Sequence, residues 1–294
     1  MLRRVVLIAR TEGLLMVREP AWPIAFTLMP LGLMVVLNGA FAKWLARFDG
    51  VVNPTGAELS VGGQSALFTG QVAPSYAPEL ELLGVVATAP AAELTRILER
   101  DLPTITGRVL GPEALVAWSE VYPGTELSSL VTGAAEDDVR AIAEGCIETT
   151  SQLAVLLPRV LLLGKDWLTF EQVDTEPWRR HIEENTPGAA RIDVPILMTQ
   201  GLDDTVVWAD LNVDWARSAC DRGESVEVIT LPGVGHDGAG QASAPDVVPW
   251  ITDRFAGDPA ADGCDDLPDV PAPSGTPEAD AEQRDPDNDL STEE

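Results

Sequence analysis

The sequence predicts an α/β fold built on a mostly parallel sheet. Its strand-length runs are short, and two of them are nearly continuous in apolar character, as strands covered on both faces require. Segments of helical length separate these runs, and such alternation is typical of parallel sheets. The predicted strands are Leu82–Thr88, Val194–Gln200 and Val226–Leu231, and the predicted helices between and after them are Ala91–Arg100, Ala209–Arg222 and Pro245–Phe255.

The N-terminal residues differ in composition from the rest of the chain. Residues 1–20 combine apolar side chains with four arginines, which predicts a basic amphipathic helix at a membrane surface. Residues 21–42 are almost wholly apolar and long enough to cross a hydrocarbon core. We expect a transmembrane anchor here, with the remaining chain outside the cytoplasm. A cleaved leader is the alternative, because Ala40–Ala42 has the form of a cleavage site, and the protein would then be secreted.

A linker, residues 43–56, and a folded domain, residues 57–257, are predicted to follow. Within the domain, the stretch from Glu113 to Asn185 contains several helical patterns, among them Asp137–Leu157. This stretch separates the first predicted strand from the second. We therefore expect a helical insertion between two strands of the sheet.

Negative charge is concentrated at the C-terminus. Residues 258–294 contain thirteen acids against the single Arg284, with few large apolar side chains, which predicts a disordered acidic tail. The formal net charge of the whole chain is −28. Phosphates would be repelled by this charge, which argues against nucleic acid and anionic lipid headgroups as partners.

Two motifs after predicted strands carry candidate chemistry. Gly201–Val207 places Asp204 on a Gly-x-x-Asp turn, and His236 lies in a glycine-flanked loop after the next strand. An imidazole held by a buried carboxylate can take the proton of a serine hydroxyl, which is the chemistry of a nucleophilic triad. Asp203 is the second choice for the acid, because Asp204 keeps the motif spacing. The other histidine, His181, lies among charged residues of a helical segment, which favours a structural or exposed role.

Ser60 is the candidate nucleophile, and the chain order Ser, Asp, His is that of α/β-hydrolases. A nucleophile elbow favours Gly-x-Ser-x-Gly, whereas Glu58 stands here in place of the first glycine. The amide of Val61, the residue after the serine, is the candidate oxyanion donor. Ser65 is a distant second choice for the nucleophile.

These residues resemble the secretory lipases of the lipase A type, which are α/β-hydrolases. The resemblance covers roughly residues 60–264 and is carried by Ser60–Gln71, Ala73–Leu80, Glu184–Gly188, Gly201–Val207, Gly235–His236 and Trp250–Phe255. It implies the C-terminal part of an α/β-hydrolase sheet under a helical cap. It also implies a carboxylic ester hydrolase that cleaves lipid or acyl esters through an acyl-enzyme on Ser60, with Asp204 and His236 as acid and base. No metal or organic cofactor is called for.

Residues 4–41 are similar to something else, the start of an ABC-2 type transporter permease. The early strands of the hydrolase fold, which supply a second oxyanion donor, have no room in residues 1–59. We therefore expect the hydrolase domain to be incomplete, and a complementing partner chain is left open. The alternative function is a catalytically inactive, membrane-tethered fusion of a permease N-terminus and a lipase C-terminal half.

The three cysteines, Cys146, Cys220 and Cys264, show no spacing typical of a metal site. If the domain lies outside the membrane, a disulfide between Cys220 and Cys264 is chemically allowed. It would tie the last helix back to the core.

Overall fold

The computed structural model describes residues 3–8, 57–131, 133–145, 150–164 and 166–273. In this part of the chain, parallel strands form one sheet in the order β1-β2-β3-β4. The strands are β1 (Arg3–Ile8), β2 (Leu80–Thr88), β3 (Ile196–Gly201) and β4 (Val226–Leu231). The three strands predicted from the sequence are thus confirmed, and β1 is an addition.

Helices connect the strands, as a parallel sheet requires. They are α1 (Ala57–Tyr76), α2 (Leu94–Asp101), α3 (Ile105–Val121), α4 (Ala134–Ala143), α5 (Thr150–Leu163), α6 (Phe170–Val173), α7 (Trp178–Glu184), α8 (Ala209–Asp221), α9 (Ala239–Ala242) and α10 (Ala244–Ala256). Short 3-10 turns lie at Leu127–Ser129 and Cys264–Asp266. Each predicted helical segment overlaps at least one of these helices, and Asp137–Leu157 overlaps both α4 and α5.

Helices cover both faces of the sheet. On one face, Val85 of β2 packs with Leu67 of α1 and Trp215 of α8. On the other face, Val86 packs against Trp250 of α10. Neighbouring residues of a strand point to opposite faces, so a strand with two buried faces needs apolar side chains along its whole length. This explains why the predicted strands Leu82–Thr88 and Val194–Gln200 are nearly continuous apolar runs.

The chain between β2 and β3 forms the helical insertion that the sequence predicted. It has an apolar core of its own, which includes Leu98, Leu102, Leu115, Trp167, Leu168, Trp178 and Ile182. Trp167 crosses this core and donates its indole N–H to the carbonyl oxygen of Leu102 at 3.2 Å. The insertion is therefore anchored where α2 ends. We call residues 102–185 the cap.

The predicted amphipathic helix over residues 1–20 is wrong for Arg3–Ile8, which form β1. The segment contains the β-branched residues Val5, Val6 and Ile8, which lose side-chain freedom in a helix and suit a strand. It pairs in parallel with β2, with Arg3 opposite Leu80. One edge of β2 is consequently covered by β1.

The predicted transmembrane segment, residues 21–42, and the linker, residues 43–56, lie outside the described residues. Within the ranges that the structure describes, no helix has the length and apolar character needed to cross a bilayer.

The acidic tail was predicted to be disordered from residue 258, and this is wrong for residues 258–273, which the structure describes. Cys264 and Leu267 pack against the main core beside the sheet. Cys264 also forms the disulfide with Cys220 that the sequence allowed, with a Cα–Cα distance of 5.6 Å. A covalent tie and a few apolar contacts thus hold a segment whose composition alone predicts disorder. Residues 274–294 lie outside the described residues.

Candidate active site

The candidate acid and base lie after neighbouring strands of the sheet. The turn that carries Asp204 follows β3, and the loop that carries His236 follows β4. The carboxyl ends of parallel strands meet at one edge of a sheet, which is where sites form in α/β proteins. Both side chains are buried, with Asp204 2% and His236 4% exposed.

The two side chains are in direct contact. Nδ1 of His236 lies 2.6 Å from Oδ2 of Asp204. Because a carboxylate accepts hydrogen bonds, this contact assigns a proton to Nδ1 and leaves the lone pair on Nε2. A neutral imidazole in this tautomer is the form that can take a proton from an alcohol.

The carboxylate of Asp204 is fixed by further hydrogen bonds. Its Oδ1 accepts the backbone N–H groups of Val206 at 2.9 Å and Val207 at 2.8 Å. Its Oδ2 accepts the side-chain amide of Gln200 at 3.1 Å, and Asn212 in turn donates to Gln200 at 2.6 Å. We call residues 204–208 the acid turn. Its backbone conformation is dictated by the aspartate that it presents.

The other ring nitrogen of His236 has no hydrogen-bond partner in the part of the chain that the structure describes, and it is buried. An unpaired buried polar atom costs about 1–3 kcal/mol, so such atoms are rare outside functional sites. Nε2 therefore presents an unused proton acceptor at the edge of the sheet.

Ser60 is the fourth residue of α1, and its side chain and that of Val61 lie outside the described side chains. The position of α1 is set by Gly63, where a Cβ atom would meet the carbonyl oxygen of Thr88 at 2.7 Å and the Cα of Pro90 at 2.9 Å. The first turns of α1 therefore pass the carboxyl end of β2. The start of α1 thus lies beside the carboxyl end of β2, the strand next to the one that Asp204 follows.

The second-choice residues lie elsewhere or point away. Asp203 is exposed, and its backbone N–H donates to the carbonyl oxygen of Val234. His181 is buried in the cap, where its ring stacks on Tyr122 at 4.1 Å and Nδ1 lies 2.7 Å from Oε2 of Glu184. This is the structural role that the sequence favoured. Ser65 lies within α1, one turn beyond Val61.

Sequence reasoning missed the polar residues that support the acid turn. Gln200 is fully buried in β3, and Asn212 is fully buried on α8. A polar residue inside an otherwise apolar strand or on the buried face of a helix was the available signal.

Two further carboxyls lie close to the pair. Burial raises the pKa of the Asp101 carboxyl to about 7, against the opposing effects of its hydrogen bond from Trp208 and of Arg100, and Asp204 raises it further. Burial also raises the pKa of Asp237, beside His236 in sequence.

A parallel sheet that carries an aspartate after one strand and a histidine after the next, with a helical insertion between strands, defines an α/β-hydrolase-like protein. In line with this, the solved structure of Candida antarctica lipase A in its closed state aligns with a TM-score of 0.54 at 16% identity, over 71% of this chain and 50% of that chain. The family model of the secretory lipases matches residues 57–263, and the chain belongs to this family.

Relatives at the sequence level carry lipase names. A Mycobacterium tuberculosis protein named probable inactive lipase is 29% identical over 212 residues, which is 69% of this chain and 45% of that protein. Lipase 6 of Candida albicans is 28% identical over 207 residues, which is 65% of this chain and 43% of that protein. The chain therefore spans less than half the length of these relatives. The secretory lipase match begins at residue 57, and the permease resemblance of residues 4–41 stays a prediction.

Proposed function

We propose that the chain is a carboxylic ester hydrolase that acts on lipid or acyl esters through Ser60, His236 and Asp204. The observation that carries this proposal is the buried pair of His236 and Asp204, in which Nε2 has no hydrogen-bond partner among the residues that the structure describes. Membership of the secretory lipase family supports the ester substrate. No metal or organic cofactor takes part.

The reaction has two halves. The hydroxyl of Ser60 attacks the ester carbonyl carbon while Nε2 of His236 takes the hydroxyl proton. The carbonyl oxygen becomes an oxyanion, and the N–H of Val61 donates to it once the first turn of α1 opens, because Val61 is the fifth residue of this helix and its N–H otherwise bonds the carbonyl of Ala57. The C–O bond to the alcohol then breaks, and the imidazolium returns the proton to the leaving alkoxide. Water attacks the acyl-enzyme in the same way and releases the acid and Ser60. Asp204 holds the tautomer and stabilises the imidazolium in both halves.

We further propose that the domain works outside the cytoplasm. The Cys220–Cys264 disulfide and the secretory lipase family both support this location, because structural disulfides persist in oxidising compartments. Two arrangements fit this location: the domain is attached to the membrane through residues 21–42, or it is secreted into the medium. Fractionation of cells into membrane and medium distinguishes them.

A specific observation favours the alternative, a catalytically inactive member of the family. Ser60 lies inside α1 and follows Glu58 where the elbow motif has glycine, so the strained strand-to-helix turn is not encoded in its usual form. The Mycobacterium tuberculosis relative is itself named a probable inactive lipase. In this alternative the acid and base persist without a working nucleophile. Whether a partner chain completes the hydrolase domain is a separate question that this alternative leaves open.

Covalent labelling decides between the two. The purified protein is treated with a fluorophosphonate probe, and p-nitrophenyl ester turnover is measured in parallel. The proposal expects labelling and turnover that vanish in Ser60→Ala and in His236→Ala. Ser65→Ala is the matched control on the same helix and should keep both. Absence of labelling in the wild type, while a control lipase is labelled, would establish the inactive alternative.

A further inference from the structure

The acid turn is held on a second side by Asp101, the last residue of α2. Asp101 is 5% exposed, and its Oδ1 accepts the indole N–H of Trp208 at 2.9 Å. Trp208 is the N-cap residue of α8 and is 6% exposed. Both partners of this hydrogen bond are therefore buried, so neither can exchange the other for water without cost.

Trp208 is linked to the proposed catalytic carboxylate of Asp204 through Val207. Its preceding residue, Val207, donates its N–H to Oδ1 of Asp204 at 2.8 Å, and the carbonyl oxygen of Val207 accepts the amide of Gln200 at 3.0 Å. A displacement of the indole moves the backbone of Val207, and with it the carboxylate that faces His236. The path from Asp101 to His236 thus consists of two hydrogen bonds, one pair of adjacent residues and the Asp204–His236 contact.

A salt bridge brackets the same indole. Both terminal nitrogens of Arg100 donate hydrogen bonds to the carboxylate of Asp210 of α8, at 2.8 and 2.9 Å. Its guanidinium also lies 5.3 Å from the centre of the Trp208 ring. Helix α2 is therefore fixed to the start of α8 at two consecutive residues. A bidentate pair adds geometric definition as well as energy.

Asp101 also stands where the cap begins. The next residue, Leu102, accepts the indole N–H of Trp167 from the core of the cap. The backbone carbonyl of Asp101 accepts the N–H and the hydroxyl of Thr104, which caps α3. The end of α2 consequently contacts the cap through its backbone and the acid turn through its side chain.

We propose that Asp101 is a positioning residue for the acid Asp204, acting through Trp208, and that it couples the cap to the acid turn. This inference rests on the proposed function for its effect on catalysis. The arrangement of His236 that it predicts is measurable whether or not the protein hydrolyses esters.

Variants separate the hydrogen bond from other properties of the carboxyl. Asp101→Ala removes the acceptor, and Trp208→Phe removes the donor but keeps an aromatic ring. Asp101→Asn keeps an acceptor oxygen, and because burial raises the pKa of Asp101 to about 7, a neutral amide is a close substitute for the acid near neutral pH. Glu113→Gln is the matched control, since burial raises the pKa of Glu113 to about 7 as well and this residue lies on α3.

The first measurement is the solvent exchange rate of the Nδ1 proton of His236, observed by nuclear magnetic resonance. The chain has only two histidines, so His236→Gln assigns the signal. In Asp101→Ala and in Trp208→Phe the proton should exchange about tenfold faster, because each variant loses one buried hydrogen bond that orders the acid turn. The double variant should match either single one, since both remove the same bond. Asp101→Asn and Glu113→Gln should keep the wild-type rate.

The second measurement is ester turnover. Displacement of a catalytic group lowers turnover about 10- to 100-fold, so kcat should fall by this factor in Asp101→Ala and Trp208→Phe. KM should stay near that of the wild type, because Asp101 is buried and bonded to Trp208. Asp101→Asn should restore most of the kcat that alanine loses, which loss of structure alone would not do.

Unchanged exchange of the His236 proton in both Asp101→Ala and Trp208→Phe would overturn the inference. Additive effects in the double variant would overturn it too, because they would show separate roles. If Asp101→Ala does not fold, Trp208→Phe and Asp101→Asn still test it. A wild type without turnover disproves the proposed function alone, and the exchange rates then decide on Asp101.

Discussion

At the scale of the residue, two adjacent carboxylates have different surroundings. Asp203 is exposed, whereas Asp204 is buried and accepts hydrogen bonds from two backbone N–H groups, Gln200 and His236. The motif spacing ranked Asp204 first, and the structure brings Asp204 into contact with His236. The sequence contained this information because the backbone of the turn is built around its own aspartate.

Substitution of the two carboxylates by amides should therefore have unequal effects. In Asp204→Asn the amide can donate to Nδ1 of His236, which favours the wrong tautomer, and kcat should fall about 10⁴-fold. Asp203→Asn, the matched control, should change kcat by less than about threefold because this side chain is exposed. Steady-state kinetics with p-nitrophenyl esters measure both. Equal losses would show that Asp204 does not act as the acid.

A second prediction at this scale concerns Glu113, whose pKa is raised by burial from 4.5 to about 7. The raised pKa means that the folded state favours the neutral form. The resulting stabilisation is fully present below about pH 4.5 and is lost as the pH rises through about 7. Glu113→Gln cannot ionise, so its free energy of unfolding should exceed that of the wild type by about 1–2 kcal/mol near pH 8 and equal it near pH 4.

Urea unfolding at the two pH values measures this difference. Glu120→Gln, an exposed carboxyl on the same helix, is the control and should not show it. A difference of the same size at both pH values would mean that the ionisation of Glu113 is not its cause.

Not every residue of the site could be predicted. Asp204 and His236 stand in short motifs after apolar runs, so local sequence pointed to them. Asp101 and Trp208 meet across 107 positions of the chain, and neither lies in a motif. Contacts of this kind depend on how α2 packs against α8, and one sequence does not define that packing.

At the scale of the element, local pattern failed where segments are short. Arg3–Ile8 was interpreted together with the residues after it as one amphipathic helix, whereas it forms β1. Six residues make less than two turns of helix, too few to distinguish a helical from an extended pattern. Strands β3 and β4 are also six residues long, but each is followed by a glycine-containing turn and a segment of helical length, and this context predicted them as strands.

The packing of α1 on β2 gives a prediction for one element. A Cβ atom at Gly63 would lie 2.7 Å from the carbonyl oxygen of Thr88, which is backbone and cannot rotate away. Gly63→Ala should therefore push the start of α1 from the sheet edge and destabilise the protein by about 1–3 kcal/mol. Activity at a temperature where the variant is folded should fall further, because Ser60 lies one turn away.

Thermal unfolding and turnover of the same preparation measure the two effects. If Gly63→Ala unfolds at the wild-type temperature and keeps the wild-type turnover, α1 has room for a Cβ atom at this position, contrary to the 2.7 Å approach in the structure. A loss of stability with unchanged turnover would separate the position of α1 from the position of the nucleophile.

At the scale of the whole molecule, composition predicted a folded α/β domain and an acidic tail but placed their boundary too early. The thirteen acids and the scarcity of large apolar residues after residue 257 argue for disorder from residue 258. Residues 258–273 nevertheless lie on the domain, where Val270, Pro271 and Pro273 line a cavity of about 220 Å³ together with Leu202–Thr205. Composition averages over a window and does not register one half-cystine.

The disulfide between Cys220 and Cys264 should determine how firmly residues 258–273 are held on the domain. Cys220 and Cys264 are separated by 44 residues, and closing a loop of this length stabilises a protein by about 2–4 kcal/mol. The double variant Cys220→Ser/Cys264→Ser should lose this amount in urea unfolding. Each single variant should lose nearly as much, because either removes the same bond. Hydrogen exchange of residues 202–205 should rise in all three, since the segment that covers them is released. A reduced wild type as stable as the oxidised one would show that packing alone holds the segment.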